Sequence, residues 1–381
     1  MLIYVNKISP MIYEKILRPL LFLFTDPESI HRWVIKALGI VSRQKPLYNL
    51  LHNFLSSTDP RLATRLGSLE LKNPVGLAAG FDKYLEAPRA YPMLGFGFAE
   101  LGSITYSEQA GNPRPRLWRL PKDKGLIIFY GLANAGAKKT AELFSQIKGH
   151  PTPYGISLAP TNGLKVEKMV EDYVKSLLEL HQYADYITLN VGCPNVASCT
   201  TFTQIYFIEE LLGAVDKTLK DHHIKKDVFI KIGPDYTRDE LSQIIAICLA
   251  HHITGVIATN LIKNRDAIKF KSSAVELSHP GGISGLTLQR QSDTIIKQLY
   301  QESQGRLKII GVGGIFTAED AYRKIRLGAS AVQIITGFIY GGPFIVKKIN
   351  DGLIKLLERD GYKNIAEAVG KDAPVASGEP T

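Results

Sequence analysis

The chain has 381 residues, 45% of them hydrophobic and 22% charged, which excludes a disordered or fibrous protein and leaves material for one large α/β core or two to three smaller domains. Three cysteines, Cys193, Cys199 and Cys248, form no CxxC pair and are too few for a disulfide framework, so a reducing compartment is the simplest reading. A formal charge of +10 suits anionic small molecules or a membrane surface. Its lysines and arginines are scattered, which sets nucleic acid aside, and no apolar run reaches the roughly 20 residues of a membrane span.

In chain order, MIYEKILRPLLFLF (11–24) is apolar, carries Lys15, Arg18 and Pro19, and lacks a small-residue cleavage site. That argues against a secretory signal and for an interfacial amphipathic helix. Residues 11 to about 55 are expected as two helices joined near TDPESIHRWVIKALG (25–39). Thr25 or Asp26 followed by Pro27 marks a helix start, and the helix is expected to end near Gly39. RLATRLGSLELKNP (61–74) alternates as a hairpin does.

From residue 75 onward eight short apolar runs recur: 75–79, 98–102, 154–158, 186–190, 228–232, 255–259, 308–312 and 331–335. Continuous rather than alternating hydrophobicity fits parallel strands covered on both faces. Between them, 166–180, 207–221, 239–252 and 318–328 carry a helical period, with Asp239 and Thr317 as expected N-caps. The fold class is therefore α/β, a (β/α)8 TIM barrel with a small N-terminal helical extension; an open doubly wound sheet is the alternative. Residues 343–361 form an amphipathic helix pattern and KDAPVASGEPT reads as a disordered tail. The expected division is 1–58 for the extension, 59–361 for the barrel and 362–381 for the tail.

Active sites of such barrels form at the carboxyl ends of the strands. Lys83 follows the first run in AAGFDK and Ser103 the second in GSIT; Asn190, Cys193 and Asn195 share TLNVGCPN after the fourth. Lys231 lies inside the fifth, VFIKIGP, and Thr259 and Asn260 close the sixth. A lysine within an apolar strand needs a negative partner or a polar cavity. The glycines of GVGGI (311–315) and ITGFIYGGP (335–343) let backbone amides approach a phosphate in the seventh and eighth loops. Cys199 and Cys248 are read as small buried hydrophobes. The pairs His222/His223 and His251/His252 are read as structural, since adjacent residues make poor joint ligands, and no metal is expected.

The ordered set AAGFDK, GFGFAELGSIT, GNPRPRLWRLP, LNVGCPN, IKIGPD, GVIATN, GGISG, IIGVGGI and AVQIITGFIYGGP resembles the FMN-dependent dihydroorotate dehydrogenases. TDPESIHRWV resembles the N-terminal helical extension of their quinone-reducing, membrane-associated class. The resemblance implies oxidation of (S)-dihydroorotate to orotate in de novo pyrimidine biosynthesis, with FMN as cofactor and a quinone as acceptor. It also implies peripheral attachment to the cytoplasmic side of the cell membrane through the N-terminal helices. Carried onto this chain, Ala79, Gly80, Lys83, Ser103, Ser157, Asn190, Lys231 and Thr259 match positions around the flavin. Gly285, Gly313, Gly314, Ile335 and Thr336 match the phosphate side. Lys83, Asn190, Asn195 and Asn260 match substrate-binding positions, and Cys193 the catalytic base. A cysteine base is the habit of the soluble class, so this chain joins the quinone-class extension to the soluble-class residue.

The chain departs from the family at IFYGLAN, where Ile128, Phe129 and Tyr130 replace an expected polar pair and its neighbour. It departs again at Leu261, where a small hydroxyl residue is usual, and more mildly at Ser157, where asparagine is common. Two alternatives stay open at this point: an FMN oxidoreductase of the same fold on a more apolar substrate, and a flavin-binding homologue without dihydroorotate turnover.

Overall fold

The computed structural model describes residues 11–147, 149, 152–192, 205–266 and 268–375. Among the described residues, three helices rather than two span 11–55. A π-helical turn at Tyr13–Leu17 runs into α1 (Arg18–Phe24), and α2 (Pro27–Arg43) and α3 (Lys45–Leu55) follow. Asp26 is the cap of α2, its carboxylate accepting from the Ser29 N–H at 2.7 Å, with Pro27 in the first turn. The helix does not stop at Gly39. That glycine lies in mid-helix because a Cβ there would stand 2.5 Å from the Glu86 carbonyl oxygen, so its role is close approach to the barrel.

The hairpin β1 (Thr64–Leu66) and β2 (Leu69–Leu71) leads into the barrel. The barrel opens with β3 (Val75–Leu77) and β4 (Phe98–Ile104). The chain then leaves it for β5 (Leu117–Leu120) and β6 (Gly125–Ile128) and returns as β7 (Tyr154–Leu158), β8 (Tyr186–Asn190), β9 (Asp227–Ile232) and β10 (Gly255–Ala258). After β11 (Gly282–Gly285), β12 (Lys308–Val312) and β13 (Ala331–Ile334) close the circle against β3. The closed order is β3-β4-β7-β8-β9-β10-β12-β13, with all eight pairings parallel. Every one of the eight runs singled out in the sequence is a barrel strand.

Because alternate residues of a strand share a face, the barrel interior is filled in layers. Phe98, Tyr186, Phe229, Ile257, Ile310 and Ala331 pack together near the amino-terminal end, with Leu66 and Leu71 of the hairpin against them as a plug. Gly76 and Gly155 make room for this layer, since a Cβ on either would enter the rings of Phe98 and Tyr186. Two residues further along, Glu100, Thr188, Lys231 and Gln333 form a buried polar layer. The barrel mouth lies above that.

The outer helices follow the period expected of them, with local corrections. Helix Arg238–Ala250 is capped by Thr237, whose hydroxyl and Glu240 form a reciprocal capping box; Asp239 sits in the first turn instead. Thr317 caps Ala318–Arg326 as expected. The antiparallel sheet β5-β6-β11 went unrecognised in the sequence; β6 pairs with both neighbours through Ile128, opposite Leu117 and Gly282. The start of the segment expected as a tail is packed: Ile365, Ala368 and Ala373 are buried, and Asp372 pairs with Arg326 at 2.6 Å. Residues 376–381 lie outside the described residues.

Candidate active site at the carboxyl end of the barrel

Strand register brings the predicted polar residues to one level. Asn190 on β8 is directly opposite Lys231 on β9, and Ser157 on β7 is opposite Gly102 on β4, one residue before Ser103. Their side chains form a continuous chain of hydrogen bonds across the mouth. The Asn260 amide donates to the Asn190 carbonyl oxygen at 2.9 Å, and the Asn190 amide donates to the Ser103 hydroxyl at 2.9 Å. The Ser103 and Ser157 hydroxyls are 2.8 Å apart. Two amides and two hydroxyls are thus locked in orientation before any ligand arrives.

Above this chain lies a cavity bordered by Ala79, Gly80, Lys83, Ser103, Asn190, Lys231, Asn260 and Ile335. Leu117, Leu126 and Ile128 of the antiparallel sheet cover it, joined by Leu261. The departures at Ile128 and Leu261 therefore face the site, whereas Phe129 does not border the cavity. A second cavity adjoins it through Ala79, Lys231, Asn260, Leu261 and Ile335 and extends to Gly285, Gly313, Gly314 and Thr336. Gly313 and Gly314 have φ of +116° and +68°, values natural to glycine. Two buried polar atoms on this wall, the Thr259 hydroxyl and the Gln333 side-chain carbonyl, have no partner. Buried polar atoms are ordinarily satisfied, so this pair calls for a ligand with both donor and acceptor groups.

Lys83 stands where the site meets the extension. Its ammonium donates to the Gly80 carbonyl and lies 3.9 Å from the centre of the Tyr130 ring. A second cation near that ring is Arg116, at 4.9 Å, which forms an ion pair with Glu28 of α2 at 2.9 Å; Arg114 reaches the same carboxylate at 3.0 Å. Enclosure away from water, then the Arg116 charge, pushes Lys83 down to about 8. The Tyr130 replacement thus closes a stack from the extension to the site lysine. Sequence reading missed Glu28 and Arg116, although both lie in motifs it quoted. It also missed Glu100, a carboxylate inside the apolar run FAELG and the partner of Lys231 at 3.3 Å; a charge in a buried strand was the available signal.

An apolar pocket of about 330 Å³ lies between the N-terminal helices and the barrel, bordered by Leu17, Leu21, Val34, Leu38 and Phe338, with Arg119 at its wall. It shares His31, Phe81, Leu117, Leu126 and Ile339 with the site cavity. His31 bonds the Phe81 carbonyl through Nε2 at 2.9 Å, and burial, with the Lys83 charge, pulls its ring down to about 3. The imidazole is neutral at ordinary pH. Leu20, Leu23, Phe24, Trp33, Ile40 and Leu50 on the outer faces of α1, α2 and α3 are exposed. Among the described residues no helix is long and apolar enough to cross a membrane, and no His/Cys/Asp/Glu group is placed to hold a metal.

Cys193 and Asn195 lie outside the described residues, as does Cys199. Cys248 is fully buried among apolar side chains, with its thiol pushed up to about 12, which makes it inert near neutrality.

Residues 61–357 match the family model described as dihydroorotate dehydrogenase. The chain is 39% identical over 375 residues to a dihydroorotate dehydrogenase (quinone) of Trichodesmium erythraeum, covering 94% of this chain and 98% of the relative. It is 40% identical over 365 residues to the protein of the same name from Acidithiobacillus ferrooxidans, covering 94% and 99%. Among solved structures, DHODH of Eimeria tenella in complex with ferulenol superposes with a TM-score of 0.80 at 29% identity, covering 92% of this chain and 96% of that one.

Proposed function

The chain belongs to the dihydroorotate dehydrogenase family, and from that premise we propose that it oxidises dihydroorotate to orotate, with FMN as cofactor and a quinone as electron acceptor. The observation that carries this reading is the amide and hydroxyl chain Asn260–Asn190–Ser103, beside Lys231 and opening onto a cavity that shares His31, Phe81, Leu117, Leu126 and Ile339 with an apolar pocket under the N-terminal helices.

The residues present fit FMN. The cavity beside Gly285, Gly313, Gly314 and Thr336 offers glycine backbone for a phosphate, and the unpartnered Thr259 hydroxyl and Gln333 carbonyl suit the polar edge of a flavin ring. At Gly80, with φ of +105°, a Cβ would meet only the Ile335 side chain at 3.8 Å, which leaves space for a flat ligand. When bound, FMN supplies the hydride-accepting chemistry that no side chain can. Lys231, which borders both cavities, would hold a positive charge beside the ring as it gains electron density on reduction. Asn190 and Asn260, with Asn195, orient the pyrimidine amides, and Lys83 offers an ammonium to its carboxylate.

Cys193, three residues beyond the end of β8 in sequence, takes the proton next to the substrate carbonyl. A thiol with an ordinary pKa of about 8.5 is a workable base near neutrality. The neutral His31 and the apolar pocket beyond it admit the quinone ring, and the exposed apolar faces of the N-terminal helices rest on the membrane surface at the cytoplasmic side.

Anaerobic titration of the flavin-loaded protein with dihydroorotate tests the reading. Stoichiometric bleaching of the flavin absorbance is expected, at a rate that rises with pH through the thiol ionisation, while Cys193→Ala keeps the flavin and loses its reduction. A flavin that dihydroorotate leaves oxidised refutes the substrate. Full-speed reduction of the alanine variant refutes the base.

A further inference from the structure

The polar layer directly beneath the site has a role that flavin binding alone does not require. Lys231 enters the cavity from β9, yet its ammonium is tied to Glu100 at 3.3 Å, and the two side chains are 6% and 0% exposed. Glu100 is held from the other sides as well. Its second carboxylate oxygen accepts from Thr188 on β8 at 3.2 Å and from the Gln333 amide on β13 at 3.0 Å. Tyr186, in the layer below, accepts from the same Gln333 amide at 3.4 Å, and burial, then the Glu100 charge, raises its pKa, so it stays neutral. Three neighbouring strands, β8, β9 and β13, therefore converge on one carboxylate of β4 whose ion-pair partner is the site lysine. Removing any such group from water is costly, and a barrel floor built only for stability would be apolar.

We propose that Glu100 is a positioning residue that holds Lys231 at the cavity floor and, by partly neutralising it, sets the reduction potential of the bound flavin. The inference rests on the reading that FMN lies beside Lys231. A cation next to the flavin favours the reduced, more negative form; a carboxylate behind that cation cancels part of its field in a medium of low dielectric. The pair thus keeps the flavin a stronger reductant than a free lysine would. Gln333 links the two levels, since its amide holds Glu100 while the residue also borders the second cavity and its buried carbonyl has no partner.

The test is the two-electron reduction potential of flavin-loaded Glu100→Gln, measured by equilibration with a reference dye. The potential is expected to rise by a tenfold or greater change in the equilibrium, about 30 mV or more. In a Lys231→Met background the buried carboxyl has lost its counterion and takes up a proton, so the same substitution is expected to shift the potential much less. An unchanged potential in Glu100→Gln overturns the proposal, and so does an equal rise in the Lys231→Met background, which would mean that Glu100 acts by its own field and not through the lysine. If Glu100→Gln does not fold, Glu100→Asp withdraws the carboxylate from Lys231 while keeping a charge in the layer. It should raise the potential by a smaller amount, and no rise overturns the proposal equally. Failure of the underlying reading looks different: the parent protein then binds no flavin at all.

Discussion

Replacing Arg116 by methionine is the sharpest test of how the extension is joined to the site. Arg116 and Glu28 are each 8% exposed and pair at 2.9 Å, and the same guanidinium donates to the carbonyls of Ala110 and Asn112 at 2.9 and 3.0 Å. Removing one partner of a buried pair typically costs about 3–5 kcal/mol because the other charge is stranded. Arg114 still reaches Glu28 at 3.0 Å, although it is 57% exposed, which moves the expectation to the lower end, about 3 kcal/mol. At about 2.1 cal/mol/K of unfolding entropy per residue, a chain of 381 residues shifts by roughly 1–2 °C per kcal/mol, so Tm should fall by about 3–6 °C. The assay is thermal unfolding of Arg116→Met, Glu28→Gln and the double variant. The double variant should lose less than the sum of the singles, since neither charge is then left alone. The Arg116 charge also helps hold Lys83 down, so Arg116→Met should move the Lys83 titration upward. A Tm within about 2 °C of the parent, or strict additivity in the double variant, would refute the coupling.

Further outcomes follow from the same geometry. His31 is held at about 3 against an ordinary 6.5, so the unfolded chain takes a proton between those values that the folded chain refuses, and stability falls as pH drops through that window. His31→Gln should flatten that acid loss, read as the urea midpoint at pH 7 against pH 4. Lys83 is held at about 8 against 10.5; the unfolded state binds the proton more tightly, so its penalty is present below pH 8 and fades as pH rises to about 10.5. Lys83→Met should therefore stabilise the flavin-free protein most below pH 8, and an equal gain at pH 11 would contradict the cause assigned. Ile128→Asn places an amide on the cavity wall under the antiparallel sheet. One added hydrogen bond of about 1 kcal/mol predicts a several-fold lower KM for dihydroorotate, and steady-state kinetics with an unchanged KM would show that this wall does not meet the substrate.

Much of the barrel was legible because its signal is local. A strand covered on both faces must be apolar at every position, so VGL, YGISL, YITLN and KIIGV announce themselves without reference to their neighbours. The site lysine was legible for the converse reason, as a charge where none should be. The antiparallel sheet was not, because LWRL and GLII are short, mixed in polarity, and paired with GISG from more than 150 residues further along the chain. Caps shifted by a residue or two, as at Thr237, since several side chains there could serve and backbone geometry chooses among them.

By itself, then, the sequence determined which segments enter the barrel, which loops carry polar residues, and that Lys231 needed a negative partner or a polar cavity. It could not say that the partner is Glu100, because the pairing depends on strand register around a closed barrel and joins residues 131 positions apart. Nor could it say that Glu28 reaches the site lysine through Arg116 and Tyr130, a stack assembled from three separate elements. Composition and period act along the chain, whereas ion pairing and the desolvation that sharpens it act through space, and only the tertiary structure sets those distances.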